Sequence, residues 1–254
     1  MGMGAAVFWL IDDQLPAVPG EPPAFLHPAE RPALAKMRAP KRQAEWLHGR
    51  LAAKTLLQAR HPGCQGRSLA EILIANEPGG APYAALADSA LGDSPHEPGP
   101  RLPGCLSLSH SGPLAAAALA LEDGFQVGID IEKVEPRPPG FFESYFTPPE
   151  ADAIRGCAPA DQAGAITLVW SAKESALKAL GKGLALDTRR IEVRVNQTED
   201  PPDGWRRFEV GGEAAAGLSW QGWWQPYREY LLTLALAYPG SGQRLGSDIL
   251  IQVG

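Results

Sequence analysis

Asp161-Gln-Ala-Gly-Ala-Ile166-Thr-Leu-Val-Trp170-Ser-Ala-Lys173-Glu174-Ser-Ala-Leu177-Lys178-Ala-Leu180-Gly181 is the stretch that decides the architecture. It is rich in good helix formers, and Gly181 is placed to end the helix in a left-handed conformation. Downstream, strands are predicted at about Ile191–Val195, Trp205–Val210, Gly217–Trp224 and Tyr230–Tyr238, punctuated by Asp-Pro-Pro-Asp-Gly and Gly-Gly turns. Upstream, Thr147 followed by Pro148 and Pro149 marks a helix start. Before it come the aromatic segment Phe141–Phe146, a linker at Pro136–Gly140 and a strand at Gln126–Ile131.

The first half has the same grammar. Ala6–Ile11 reads as a strand, and Lys41–Arg60 as a helix with Leu47, Leu51 and Leu56 on one stripe. Gly49 inside that helix costs ~1 kcal/mol relative to Ala, which predicts close packing there. Ile72–Ala75 is a short strand, and the six prolines of Glu77–Gly104 predict a long loop. Leu106–Ser109 and Leu114–Leu121 bracket a turn at His110-Ser111-Gly112-Pro113. The alanines of the second segment favour helix by propensity, but its short, turn-bounded length favours strand. The expected fold is α+β: two similar lobes, each a helix on a small, mostly antiparallel sheet, with a cleft between them. The expected boundaries are 1–124 and 125–240, with a polar tail at 241–254.

Composition narrows the function. A net charge of −6 argues against a general nucleic-acid binder, whose affinity rests on clustered positive charge. The apolar runs Leu114–Leu121 and Leu231–Tyr238 fall short of the ~20 residues of a membrane helix. Val7–Ile11 has no basic residues before it and does not read as a secretory signal. Three cysteines without a C-x-x-C spacing support neither a disulfide framework nor a zinc site, and the expected compartment is the cytoplasm.

Four clusters carry chemistry. In Gly128-Ile129-Asp130-Ile131-Glu132, strand alternation puts both carboxylates on one face. An oxygen-only pair suits a hard ion, Mg²⁺ or Mn²⁺; a solvated acidic strand end beside Lys133 is the plainer alternative. Glu174 and Lys178 share a helix face, either as a surface ion pair or as a third carboxylate and a phosphate-binding cation. Ser109-His110-Ser111-Gly112 is either a polar turn or a phosphate contact. Arg42, Trp46 and Arg50 recur every four residues, so two guanidiniums either converge on one phosphate or line a solvated face.

In order, these segments resemble the 4′-phosphopantetheinyl transferases of the two-lobed, surfactin-synthetase-activating type. The shared elements are a basic helix with Gly49-Arg50, Ser109-His110-Ser111, Gly128–Glu132, and Trp170–Lys178 followed by Gly181-Lys182-Gly183-Leu184, across roughly residues 28 to 190. The resemblance implies a pseudo-twofold enzyme with its site at the lobe interface, moving phosphopantetheine from coenzyme A to a serine of an apo acyl or peptidyl carrier protein. Asp130, Glu132 and Glu174 would hold Mg²⁺, and Glu174 and Lys178 would act in catalysis. Lys178, Ser109 and His110 would meet the coenzyme A phosphates, and Arg42 and Arg50 the 3′-phosphate. Phe141, Phe142, Tyr145 and Phe146 would face the carrier unless they are core, and a monomer is expected. A magnesium-dependent pyrophosphate hydrolase and a non-catalytic coenzyme A- or carrier-binding module are the alternatives. Two departures stand out: Gly79-Gly80-Ala81-Pro82 lacks the lysine of the usual nucleotide loop, and the loop at 83–103 is long.

Overall fold

The computed structural model describes residues 6–14, 22–87, 98–195, 204–240 and 249–253. They divide into two units, Met1–Asp123 with Arg244–Gly254, and Gly124–Gln243.

In the first unit, β1 (Val7–Asp12) is followed by α1 (Arg31–Lys36), the long α2 (Pro40–Arg60), β2 (Ile72–Asn76), β3 (Pro82–Ala87), β4 (Pro98–Arg101), β5 (Cys105–Ser111) and β6 (Leu114–Ala120). β6 lies antiparallel between β1 and β5. All seven of its residues are buried, so pairing on both sides overrides the helical preference of its alanines. α2 packs Ala52, Ala53, Leu56 and Leu57 against Leu10, Ile72, Ile74, Ala115, Ala117 and Leu119.

Three expectations are corrected here. The predicted loop at 77–104 contains β3 and β4, which form an antiparallel sheet with β2. Its prolines misled because Pro82 opens a strand and Pro98 and Pro100 sit on the outer strand, positions where a missing N–H is tolerated; residues 88–97 lie outside the description. Gly49 is not a close-packing site, since a Cβ there would meet nothing within 4 Å. The polar tail holds a further strand, described below.

The second unit runs β7 (Gln126–Lys133), α3 (Phe141–Tyr145), α4 (Pro148–Arg155), α5 (Gln162–Ala179), β8 (Glu192–Val195), β9 (Arg206–Gly211), β10 (Leu218–Tyr227) and β11 (Tyr230–Pro239). Its sheet has the order β7-β11-β10-β9-β8, with every pair antiparallel. α5 lies directly on β7: a Cβ on Gly128 would stand 1.8 Å from the Ser175 carbonyl oxygen. The helix ends as predicted, with Gly181 at φ 64. Lys182 N–H donates to Leu177 O and Gly181 N–H to Lys178 O, which satisfies two terminal carbonyls.

The last strand, β12 (Leu250–Gln252), returns to the first unit and pairs parallel with β1. Ile249 and Val253 flank it and are buried, which is why this stretch, polar before residue 249, ends in structure. Among the described residues no helix is long and apolar enough to cross a membrane.

One polar device recurs in both units. Glu30 accepts the backbone N–H groups of His27 and Ile74 and the Lys54 ammonium. Glu150 accepts those of Thr147 and Val193 and the Lys173 ammonium. Each carboxylate therefore ties a capping turn, the long helix and the strand after it. The lysines are fully buried, and burial pushes both ammonium pKa values down against the pull of their glutamates.

Candidate functional site

In the second unit, the carboxylates of β7 face α5. Asp130 is buried; its Oδ1 lies 2.7 Å from Lys178 Nζ and its Oδ2 accepts the Ser171 hydroxyl at 2.7 Å. Lys178 also donates to Ile129 O at 3.1 Å. Its ion pair is thus with Asp130 on the sheet, not with Glu174 one turn back on the helix. Glu132 pairs with Arg137 at 3.0 Å and receives a hydrogen bond from Trp170. Burial, then the neighbouring Asp130, raises its pKa, and Arg137 and Trp170 pull it back down. Glu174 is pushed up to about 7, first by burial, then by Asp130, with Glu132 adding to it and Lys178 opposing.

Burial and repulsion among the carboxylates thus act together on Glu132 and Glu174, with Asp130 as their common neighbour. An oxygen-only donor set with surplus negative charge fits a hard divalent cation. The fit lies in chemistry and charge: among the described residues no three His, Cys, Asp or Glu side chains stand at metal-holding spacing.

Phe141, Phe146 and Trp170 form a core cluster with Ile154, Ile166 and Val169, whereas Tyr145 is exposed and stacks edge-on against Trp170. The aromatic segment is therefore divided between core and surface. The Phe142 side chain lies outside the description.

In the first unit, Arg50 is buried and bonded within its own lobe. Its Nε is 3.5 Å from Glu30, its Nη2 is 3.5 Å from Asn76, and its guanidinium stacks 3.5 Å over Trp46. Burial lowers its pKa to about 10 against the attraction of Glu30. Glu30, Trp46, Arg50 and Asn76 help line a pocket of about 300 Å³. Asn76 also donates to Gly80 O, which ties the lysine-free Gly79-Gly80 turn to that wall. Arg42 is exposed in the first turn of α2, and no described contact brings it to Arg50. Ser109 is buried and His110 exposed at the end of β5.

Residues 126–235 match the model of the 4′-phosphopantetheinyl transferase superfamily. A 4′-phosphopantetheinyl transferase of Bacillus subtilis is 34% identical over 102 residues, 39% of this chain and 44% of that one. The 4′-phosphopantetheinyl transferase HetI of Nostoc is 32% identical over 130 residues, 45% and 53% of the two chains. The chain thus spans about half the length of these relatives. A holo-(acyl-carrier-protein) synthase from Bacillus anthracis, solved in complex with coenzyme A, is 18% identical with a TM-score of 0.38, covering 45% of this chain and 96% of that one. The matched stretch contains Asp130, Glu132, Glu174 and Lys178. Arg42, Arg50, Ser109 and His110 lie before it.

Sequence reasoning did not assign Ser171, Thr233, Arg137, Asn76 or the two buried glutamates. Arg137 was hidden in a proline-rich linker. Thr233 becomes visible only through strand register, because it stands directly opposite Asp130.

Proposed function

We propose that this chain transfers the 4′-phosphopantetheine group of coenzyme A to a serine of an apo carrier protein, acyl or peptidyl, and releases adenosine 3′,5′-bisphosphate. The observation that carries this reading is the coupled Asp130–Glu132–Glu174 set with Lys178, lying within the stretch that matches the transferase superfamily.

In the reaction, the carrier serine Oγ attacks the phosphorus that bears the pantetheine arm. A new O–P bond forms as the bond to the bridging oxygen breaks, and adenosine 3′,5′-bisphosphate leaves. Glu174 takes the serine proton at its carboxylate, a task suited to a half-buried carboxylate beside other acids. Lys178 neutralises the diphosphate and the charge left on the departing phosphate. Asp130, Glu132 and Glu174 would hold Mg²⁺, whose charge, when bound, would offset that of the phosphoryl oxygens. Arg50 and Arg42 would receive the 3′-phosphate, and Ser109 and His110 the other coenzyme A phosphates. Tyr145 offers an exposed ring to the carrier. We place the reaction in the cytoplasm and assign it to a monomer.

The test is incubation with coenzyme A, Mg²⁺ and an apo carrier, followed by intact-mass analysis. The carrier should gain one phosphopantetheine group, and adenosine 3′,5′-bisphosphate should appear in equal amount. Release of 4′-phosphopantetheine with an unlabelled carrier would instead establish hydrolysis. Coenzyme A binding without turnover would establish a binding module.

A further inference from the structure

The hydroxyls of Ser171 and Thr233 have no part in the reaction just described, yet both are fully buried behind Asp130. Ser171 Oγ lies 2.7 Å from Asp130 Oδ2. An ionised carboxylate only accepts hydrogen bonds, so the single Ser171 hydroxyl hydrogen is committed to Asp130. Thr233 Oγ1 stands 2.9 Å from Ser171 Oγ and 2.9 Å from the Ser171 carbonyl oxygen. With the serine hydrogen already engaged, the Thr233 hydrogen must point toward Ser171. That one hydrogen goes to the Ser171 carbonyl oxygen or to its hydroxyl, so Thr233 braces Ser171 and Ser171 in turn holds Asp130. Thr233 lies across from Asp130 in the β11–β7 register, and Ser171 descends from α5. The chain of hydroxyls thus spans both strands and the helix.

We infer that Ser171 and Thr233 are positioning residues for Asp130, holding its carboxylate plane when Lys178 turns from Asp130 to the substrate diphosphate. This rests on the transfer reading above. One ammonium cannot stay 2.7 Å from Asp130 Oδ1 and also move onto a phosphate. As it moves, a charged donor leaves one carboxylate oxygen. Ser171, anchored in the helix and backed by Thr233, keeps the other oxygen fixed, so that Asp130 holds its orientation beside the two glutamates whose charge it influences. Outer hydrogen bonds of this kind commonly govern how well an inner carboxylate holds an ion.

The experiment compares the full-length chain with Ser171→Ala, Thr233→Val and Thr233→Ser, and uses Asp130→Asn as a reference. Mn²⁺ affinity is titrated by electron paramagnetic resonance with coenzyme A present and no carrier, alongside melting temperature and steady-state rates. Ser171→Ala should weaken Mn²⁺ binding and lower kcat by ~10–100-fold while KM for coenzyme A holds. Thr233→Val should move the same quantities less, and Thr233→Ser, which keeps the hydroxyl, should restore them.

A folded Ser171→Ala with wild-type Mn²⁺ affinity overturns the inference, as does a fall in melting temperature with affinity and kcat intact. If Ser171→Ala does not fold, Thr233→Val decides in the same way. Weak binding in Asp130→Asn beside normal binding in Ser171→Ala sinks the positioning role alone. Normal Mn²⁺ binding in Asp130→Asn sinks both that role and the metal assignment on which it stands.

Discussion

Both units set a long helix on an antiparallel sheet and fasten it with a buried glutamate–lysine pair, but the Asp130–Glu132–Glu174 cluster belongs to the second. The fasteners match in spacing. Glu30 reaches a lysine 24 residues on and a strand N–H 44 residues on; Glu150 reaches its own at 23 and 43. The hairpins match as well, with Ser111 opposite Leu114 and Tyr227 opposite Tyr230 at their closed ends. Aligning the units on these features sets Leu10 beside Asp130, Asp12 beside Glu132, Thr55 beside Glu174, Ala59 beside Lys178, Ala52 beside Ser171 and Ala117 beside Thr233. Where the second unit holds a charged and hydroxylated cluster around the buried Asp130, the first keeps largely apolar or small residues. Phe8 stands where Gly128 lets α5 touch the sheet. The two units share a fold, and a handful of positions on one helix and two strands sets the candidate site apart.

The largest effects should separate the two units chemically. Asp130→Ala and Glu174→Ala should each lower carrier modification by at least ~10²-fold, while Thr55→Ala, at the matching exposed position of α2, should leave the rate unchanged. Near-normal turnover in either carboxylate variant would remove the chemical asymmetry.

The fasteners should instead behave alike. Lys54→Met and Lys173→Met each strand a buried carboxylate, and each should cost about 3–5 kcal/mol in denaturant unfolding. A near-neutral result for one alone would show that the two devices are not equivalent. Glycine contrasts complete the pair. Gly128→Ala drives a methyl into the Ser175 carbonyl and should destabilise by at least ~3 kcal/mol. Gly49→Ala fills open space within a helix and should stabilise by up to ~1 kcal/mol. Chemical melts of both variants check the signs.

The smallest effect belongs to the first unit and depends on pH. Burial lowers the pKa of His61 from its ordinary 6.5, while the Pro103 carbonyl opposes this. The ring Nδ1 accepts the Gly63 N–H, a bond available only to the neutral ring. Because the folded pKa is depressed, the stabilisation is present above about pH 6.5 and is lost as pH falls through the lower folded value. Melting temperatures of wild type and His61→Gln should therefore converge as the solution is acidified. A gap that stays constant with pH would remove His61 as the cause.

Much of this was legible beforehand. Helix α5, its glycine stop and the strands around it follow from composition and punctuation, and Asp130, Glu132, Glu174 and Lys178 stand out through local spacing. What escaped was set by distant pairing. The prolines at 82, 98 and 100 read as loop because tolerance at a strand's start or on an outer strand depends on which strand lies outermost. Thr233 has no local signal, since its meaning comes from standing across from Asp130. Arg50 looked like a free cation on an amphipathic helix, but Glu30 had already claimed one side of it.

The placement of β12 has a practical consequence for dividing the molecule. Gly124–Gln243 is continuous, but the other unit is assembled from two separated pieces of chain. A fragment ending at Asp123 would lack the outer strand beside β1 and leave the hydrogen-bonding edge of Val7, Phe8 and Trp9 bare, an invitation to aggregate. Anyone expressing the halves apart should therefore graft residues 249–253 back through a linker, or fuse a partner only where that strand remains seated.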